Sequence, residues 1–102
     1  MMFENLSDAD KAIVGQALRA AADGPFFPDW EFHTLFGLER SEVRAIADAW
    51  PEILASPEDV TAAVNNAFNN VLGYPHRKDA VWPQWISIDR RQLNELFSRI
   101  RG

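Results

Sequence analysis

The chain has 102 residues, of which 47% are hydrophobic; it contains four tryptophans and no cysteine, and its formal net charge is minus 5. This length and composition predict a single domain over residues 1–102, and the lack of cysteine excludes disulfide bonds and thiolate metal sites. No stretch approaches the roughly 18 apolar residues of a membrane span, and the first five residues lack the basic and apolar runs of a secretory signal, so we expect a cytoplasmic protein without a membrane partner.

The hydrophobic pattern predicts helices from the start of the chain. Ser7 caps a first helix that ends at residues 23–25, where an aspartate is followed by glycine and proline. A short second helix covers about residues 30–36 and is closed by Gly37. A third helix, over about residues 40–49, has one apolar stripe at helical spacing.

The second half of the chain adds two more helices. Ser56 and Pro57 are a typical start for a fourth helix, which reaches Leu72. The segment 76–88 has no helical period and contains two tryptophans, which predicts an ordered loop held by those side chains. Asp89 then caps the last helix. We therefore expect an all-α fold, a compact orthogonal bundle of about five helices with one ordered loop.

The charge is distributed unevenly along the chain. Residues 1–60 contain twelve acids and four bases, a balance of minus 8, whereas residues 61–102 contain three acids and six bases, a balance of plus 3. An acidic surface disfavours binding to phosphate backbones, so nucleic acid is not the expected partner, and it favours a basic protein partner. Charge that serves only solubility would give the same pattern, and both interpretations stay open.

Four asparagines lie within six positions of the fourth helix. Each costs about 0.5 kcal/mol relative to alanine in a helix interior. At about 100° per residue they share an arc opposite the apolar side chains. The amides could hydrogen-bond the backbone of residues 74–88, form a docking surface with nearby aromatic side chains, or face water. The docking hypothesis names these partner-binding residues: Asn65, Asn66, Asn69, Asn70, Tyr74, Trp82 and Trp85.

Residues 31–50 carry a second pattern. Gly37 is followed by an apolar residue, Leu38, and the next helix has apolar residues at Val43 and Ile46. This pattern resembles the helix-turn-helix motif of bacterial transcription regulators, in which such residues form the turn and hold the two helices together. Any two helices that pack across a glycine turn give the same pattern. The resemblance implies a recognition helix with these groove-facing residues: Arg40, Ser41, Glu42 and Arg44.

The two histidines are the remaining candidates for chemistry. His33 follows Asp29 by one helical turn, which predicts a partly buried histidine that is hydrogen-bonded by Asp29, or half of a metal site. His76 has no neighbour at ligand spacing. The chain has no nucleophile elbow, phosphate-binding glycine loop or His-Glu-x-x-His run, so we expect no catalytic residue, cofactor or metal.

These observations lead to one main hypothesis and two alternatives. The main hypothesis is a small acidic, non-enzymatic protein-interaction module, an immunity-type or inhibitor-type protein that binds a basic partner protein as a monomer or homodimer. The first alternative is a helix-turn-helix DNA-binding regulator that uses residues 31–50. The second is an enzyme with a His/Asp centre.

Overall fold

Six α-helices and one 3-10 turn make up the fold in a computed structural model, which describes Phe3 and residues 5–101. The described part of the chain is 71% helical and forms no strand, which confirms the predicted all-α bundle. In chain order the helices are α1 (Asp8–Asp23), α2 (Asp29–Phe36), α3 (Arg40–Ala49), α4 (Pro57–Gly73), α5 (Trp82–Trp85) and α6 (Arg90–Arg101), and the 3-10 turn covers Asp79–Val81.

The long helices begin where local sequence signals place them. The hydroxyl of Ser7 accepts a hydrogen bond from the Asp10 N–H at 3.0 Å, and Ser56 plays the same role at the start of α4. Before α6, Asp89 and Gln92 exchange two hydrogen bonds between side chain and backbone, at 2.8 and 3.0 Å. These caps satisfy N–H groups that a helix start leaves without partners.

The segment 76–88 is ordered, as predicted, but it contains the 3-10 turn and the short helix α5. Trp82 is buried, and its indole N–H donates to the carbonyl of Ile88 at 2.9 Å. The backbone N–H of Ser87 donates to the side chain of Gln16 at 2.8 Å, and α5 packs on α1. The segment is therefore held against α1.

The core lies between α1 and α4, which pack on each other and on most of the remaining helices. The inner face of α1 consists largely of small residues, and Ala17, Ala20 and Ala21 are fully buried. Small side chains let neighbouring helices approach closely, and larger ones such as Leu18 and Phe68 fill the remaining space.

No helix among the residues that the structure describes has the length and apolar character that a membrane span requires. The expectation about a secretory signal depends partly on Met1, Met2 and Glu4, which lie outside the described residues.

Candidate functional site

Two of the four asparagines hold the carboxyl end of α2. The Nδ2 of Asn66 donates to the carbonyl of Phe36 at 2.9 Å, and the Nδ2 of Asn70 donates to the carbonyl of Leu35 at 3.0 Å. The prediction that these amides bind the backbone of residues 74–88 was wrong. The physical reason is that α2 packs across α4, whereas the later segment lies against α1.

The other residues of the predicted docking surface do not form one exposed patch. Asn65 and Trp85 are half-buried. The phenol of Tyr74 donates a hydrogen bond to the carboxylate of Glu31, which raises the pKa of Tyr74, and its ring lies 5.7 Å from that of Phe27. Of the seven predicted partner-binding residues, the structure leaves one exposed, Asn69.

The predicted DNA-contacting arginines lie at the carboxyl end of α1. Arg40 donates to the carbonyls of Ala21 and Ala22 at 3.2 and 3.1 Å and to that of Phe27 at 2.7 Å. Its guanidinium lies 4.3 Å from the centre of the Phe32 ring. The side chain therefore joins α1 to the turn before α2 and is not free to enter a DNA groove.

Arg44 is also held by hydrogen bonds within the bundle. It donates to the carbonyl of Ala22 at 3.1 Å and to the carboxylate of Asp23 at 2.7 Å, and Arg19 also binds that carboxylate. These two arginines lower the pKa of Asp23, Arg44 having the larger effect. Of the other two candidates, Ser41 is exposed and Glu42 accepts the backbone N–H of Glu39 at 2.8 Å.

The predicted pairing of His33 with Asp29 was also wrong. The side chain of His33 is 67% exposed, and its nearest acid is Glu39 at 3.9 Å. Asp29 instead lies 3.0 Å from the Nε of Arg40, because its position at the start of α2 faces α3.

His76 is the buried histidine, and both of its ring nitrogens contact the backbone of this chain. Its Nε2 lies 3.0 Å from the carbonyl of Val71, while its Nδ1 accepts the backbone N–H of Lys78 at 2.9 Å. These two contacts place the ring hydrogen on Nε2, which makes His76 a donor to the last turn of α4. The described residues contain no group of three metal-binding side chains arranged to hold an ion.

A feature that the sequence did not indicate lies between α3 and α4. A groove of about 320 Å³ separates the second half of α3 from the first turn of α4, and the linker 50–56 closes one side. We call it the acidic groove. Its apolar lining consists of Ala45, Ile46, Ala49, Leu54, Ala55 and Val60. Its polar lining consists of Glu42, Glu52 and Asp59, the rim carboxylates.

The charged side chains that line the acidic groove are all negative. Among residues 5–101, no cationic side chain lies within 4.0 Å of a rim carboxylate, whereas Asp10, Asp23 and Asp48 all have arginine partners. The carboxyl end of α3, which carries a partial negative charge, adds to this potential, and its last turn contains no basic residue.

Leu54 adds exposed apolar surface beside the rim. It is 78% exposed, and Trp30 of α2, at 80%, is the other large hydrophobic side chain that the described part of the chain leaves exposed. Apolar surface surrounded by polar groups is typical of contact sites for other proteins.

Comparisons of the chain with known protein families, curated proteins and solved structures found no match.

Proposed function

We propose that the protein is a non-enzymatic interaction module that binds a basic partner protein through the acidic surface formed by α3, the linker 50–56 and the start of α4. The observation that carries this proposal is the set of rim carboxylates without cationic partners among residues 5–101, arranged around exposed apolar surface. An immunity-type or inhibitor-type protein would use such a surface to cover a basic region of its target.

The two parts of this surface would contribute differently to binding. Burial of apolar area supplies most of the favourable free energy of association. The carboxylates select a partner of opposite charge and speed its encounter, and salt weakens both effects. A basic partner would therefore bind most rapidly at low ionic strength.

The geometry gives less support to the DNA-binding alternative. Arg40 and Arg44 already bind carbonyls and carboxylates within the bundle. Duplex recognition also needs basic side chains that contact phosphates, whereas the exposed side of α3 leads into the acidic groove.

Carbodiimide cross-linking of the intact protein in an extract of its source cells tests the proposal, because this reagent joins carboxylates directly to lysines in contact. We expect cross-links from Glu42, Glu52 or Asp59 to lysines of one basic protein, and their yield should fall as salt is added. Cross-linked products that contain only acidic proteins, or a yield that does not depend on salt, would show that the proposal is wrong.

The matched control is a charge reversal far from the acidic surface. Glu52→Lys should lower the yield of cross-linked partner, whereas Glu95→Lys on α6 changes the net charge equally and should leave it unchanged. Both side chains are exposed, so both variants are expected to fold.

A further inference from the structure

Three of the longer helices have carboxyl ends that receive hydrogen bonds from side chains outside the helix. Such donors satisfy carbonyl groups that the end of a helix leaves without intrahelical partners. Their distances to the carbonyls range from 2.7 to 3.2 Å. The donors are Arg40 and Arg44 for α1, Asn66 and Asn70 for α2, and His76 and Arg90 for α4.

The carboxyl end of α3 differs from these three. Backbone N–H groups of Trp50 and Glu52 bind two of its carbonyls at 2.9 and 2.8 Å. Pro51, which has no N–H, occupies the position that would supply a backbone donor to Ala47. No side chain among residues 5–101 donates to the last turn of α3.

This helix end lies beside the acidic groove. Both its partial negative charge and the rim carboxylates favour a cationic group. The groove is lined by the last two turns of α3, including Ala45, Ile46 and Ala49. A guanidinium or ammonium group that pairs with the rim carboxylates would also be stabilised by the partial negative charge at the carboxyl end of α3. Arg44 makes this combination of contacts at the end of α1, where it binds the Ala22 carbonyl and the Asp23 carboxylate.

The volume of the groove limits what else can enter it. About 320 Å³ is at the lower end of the range for small-molecule pockets, and the rim of exposed side chains leaves the groove open to solvent. An apolar side chain from a segment that lies across the opening would contact the exposed apolar residues Ala45, Leu54 and Ala55. A folded domain could not enter.

We propose that the acidic groove binds one short basic segment of a partner protein, with an apolar side chain inserted between α3 and α4 and an adjacent arginine or lysine covering the carboxyl end of α3. This inference rests on the proposed function and specifies how the partner is recognised. The charge complementarity between the rim carboxylates and the segment is the reason for choosing a basic peptide as the occupant.

Selection from a library of random short peptides displayed on phage, with the intact protein immobilised, tests this proposal. We expect the enriched sequences to share an apolar residue next to arginine or lysine. A synthetic peptide of the consensus should lose about tenfold in affinity when serine replaces the apolar residue. Replacing the adjacent basic residue by glutamine should cost about fivefold.

Three variants of the protein locate the binding site. Ala45→Trp places a large side chain in the acidic groove and should abolish binding of the consensus peptide, and Glu52→Lys should weaken it about fivefold. Glu95→Lys is the control and should bind as the wild type does. Circular dichroism confirms folding, and amide chemical shifts of the wild-type protein show whether the peptide contacts Ala45 and Ala55.

The proposal is overturned if the enriched peptides lack basic residues, if Ala45→Trp binds them as well as the wild type does, or if no sequence is enriched. If Ala45→Trp does not fold, the amide shifts of the wild-type protein and the peptide affinity of Glu52→Lys decide whether the peptide binds in the groove. Cross-links from a basic partner to carboxylates distant from the groove would refute this inference and leave a basic partner established. An absence of any basic partner in the extract would instead refute the proposed function.

Discussion

Replacing Asn66 and Asn70 together by alanine tests the role of the asparagines as a cap for α2. The double variant removes two half-buried hydrogen bonds of 2.9 and 3.0 Å and leaves the carbonyls of Leu35 and Phe36 without these donors. Each lost bond costs about 1 to 1.5 kcal/mol. The two alanines restore about 1 kcal/mol of helix propensity in α4. The free energy of unfolding should therefore fall by about 1 to 2 kcal/mol.

Urea denaturation followed by circular dichroism at 222 nm measures this change, since both variants and the wild type unfold from a helical state. For a domain of this size, the melting temperature should fall by about 5 to 10 °C. The matched control is Asn69→Ala, because Asn69 is exposed and no hydrogen bond of its amide to residues 5–101 is present. That variant should be as stable as the wild type or more stable by about 0.5 kcal/mol.

A double variant that is as stable as the wild type would refute this reasoning. It would mean that water replaces the amides at the end of α2 without cost. The amides of Asn66 and Asn70 would then not be needed for stability. The effect of Asn66→Ala and Asn70→Ala on partner binding would decide whether they serve in binding.

Three further predictions concern the arginines and the surface charge. Arg40→Ala should lower the free energy of unfolding by about 2 to 4 kcal/mol, because it removes three hydrogen bonds from a charged, largely buried donor. The control is Arg91→Ala; Arg91 is exposed, and its replacement should change the free energy of unfolding by less than about 0.5 kcal/mol. Equal effects in urea denaturation would contradict the assignment. Arg44 and Arg19 lower the pKa of Asp23 below its ordinary value of 3.8, so this stabilisation is complete above about pH 5 and is lost as the pH falls through the folded-state pKa. Asp23→Asn should therefore flatten the acid limb of a plot of urea midpoint against pH, and an unchanged limb would argue against this linkage. Finally, selection from random DNA duplexes at physiological salt should enrich no motif; a motif whose binding requires Arg40 would instead favour the regulator hypothesis.

The helices could be predicted from sequence because their signals are local. Ser7 and Ser56 each cap a helix with a hydroxyl three residues before the N–H it accepts, and Gly37 adopts the left-handed conformation that ends α2. Only the short turns within 76–88 were missed. They form against α1 and have no period of their own.

The partners of polar side chains could not be predicted because they come from distant parts of the chain. Asn66 and Asn70 lie 30 and 35 positions from the carbonyls they bind, and Arg40 lies 18 or 19 positions from its carbonyls in α1. The rim carboxylates were not predicted either, because they belong to two helices and a linker, and two of them suit the first turn of a helix.

The capping side chains also set an order for assembly during synthesis. The end of α1 is completed by α3, the end of α2 by α4, and the end of α4 by the start of α6. Each of these capping side chains therefore lies on a helix that is synthesised two or more elements after the helix it caps. In a nascent chain of which only α1 and α2 have left the ribosome, the carboxyl ends of both helices would be exposed to water. Stable structure should therefore appear only once α4 has emerged.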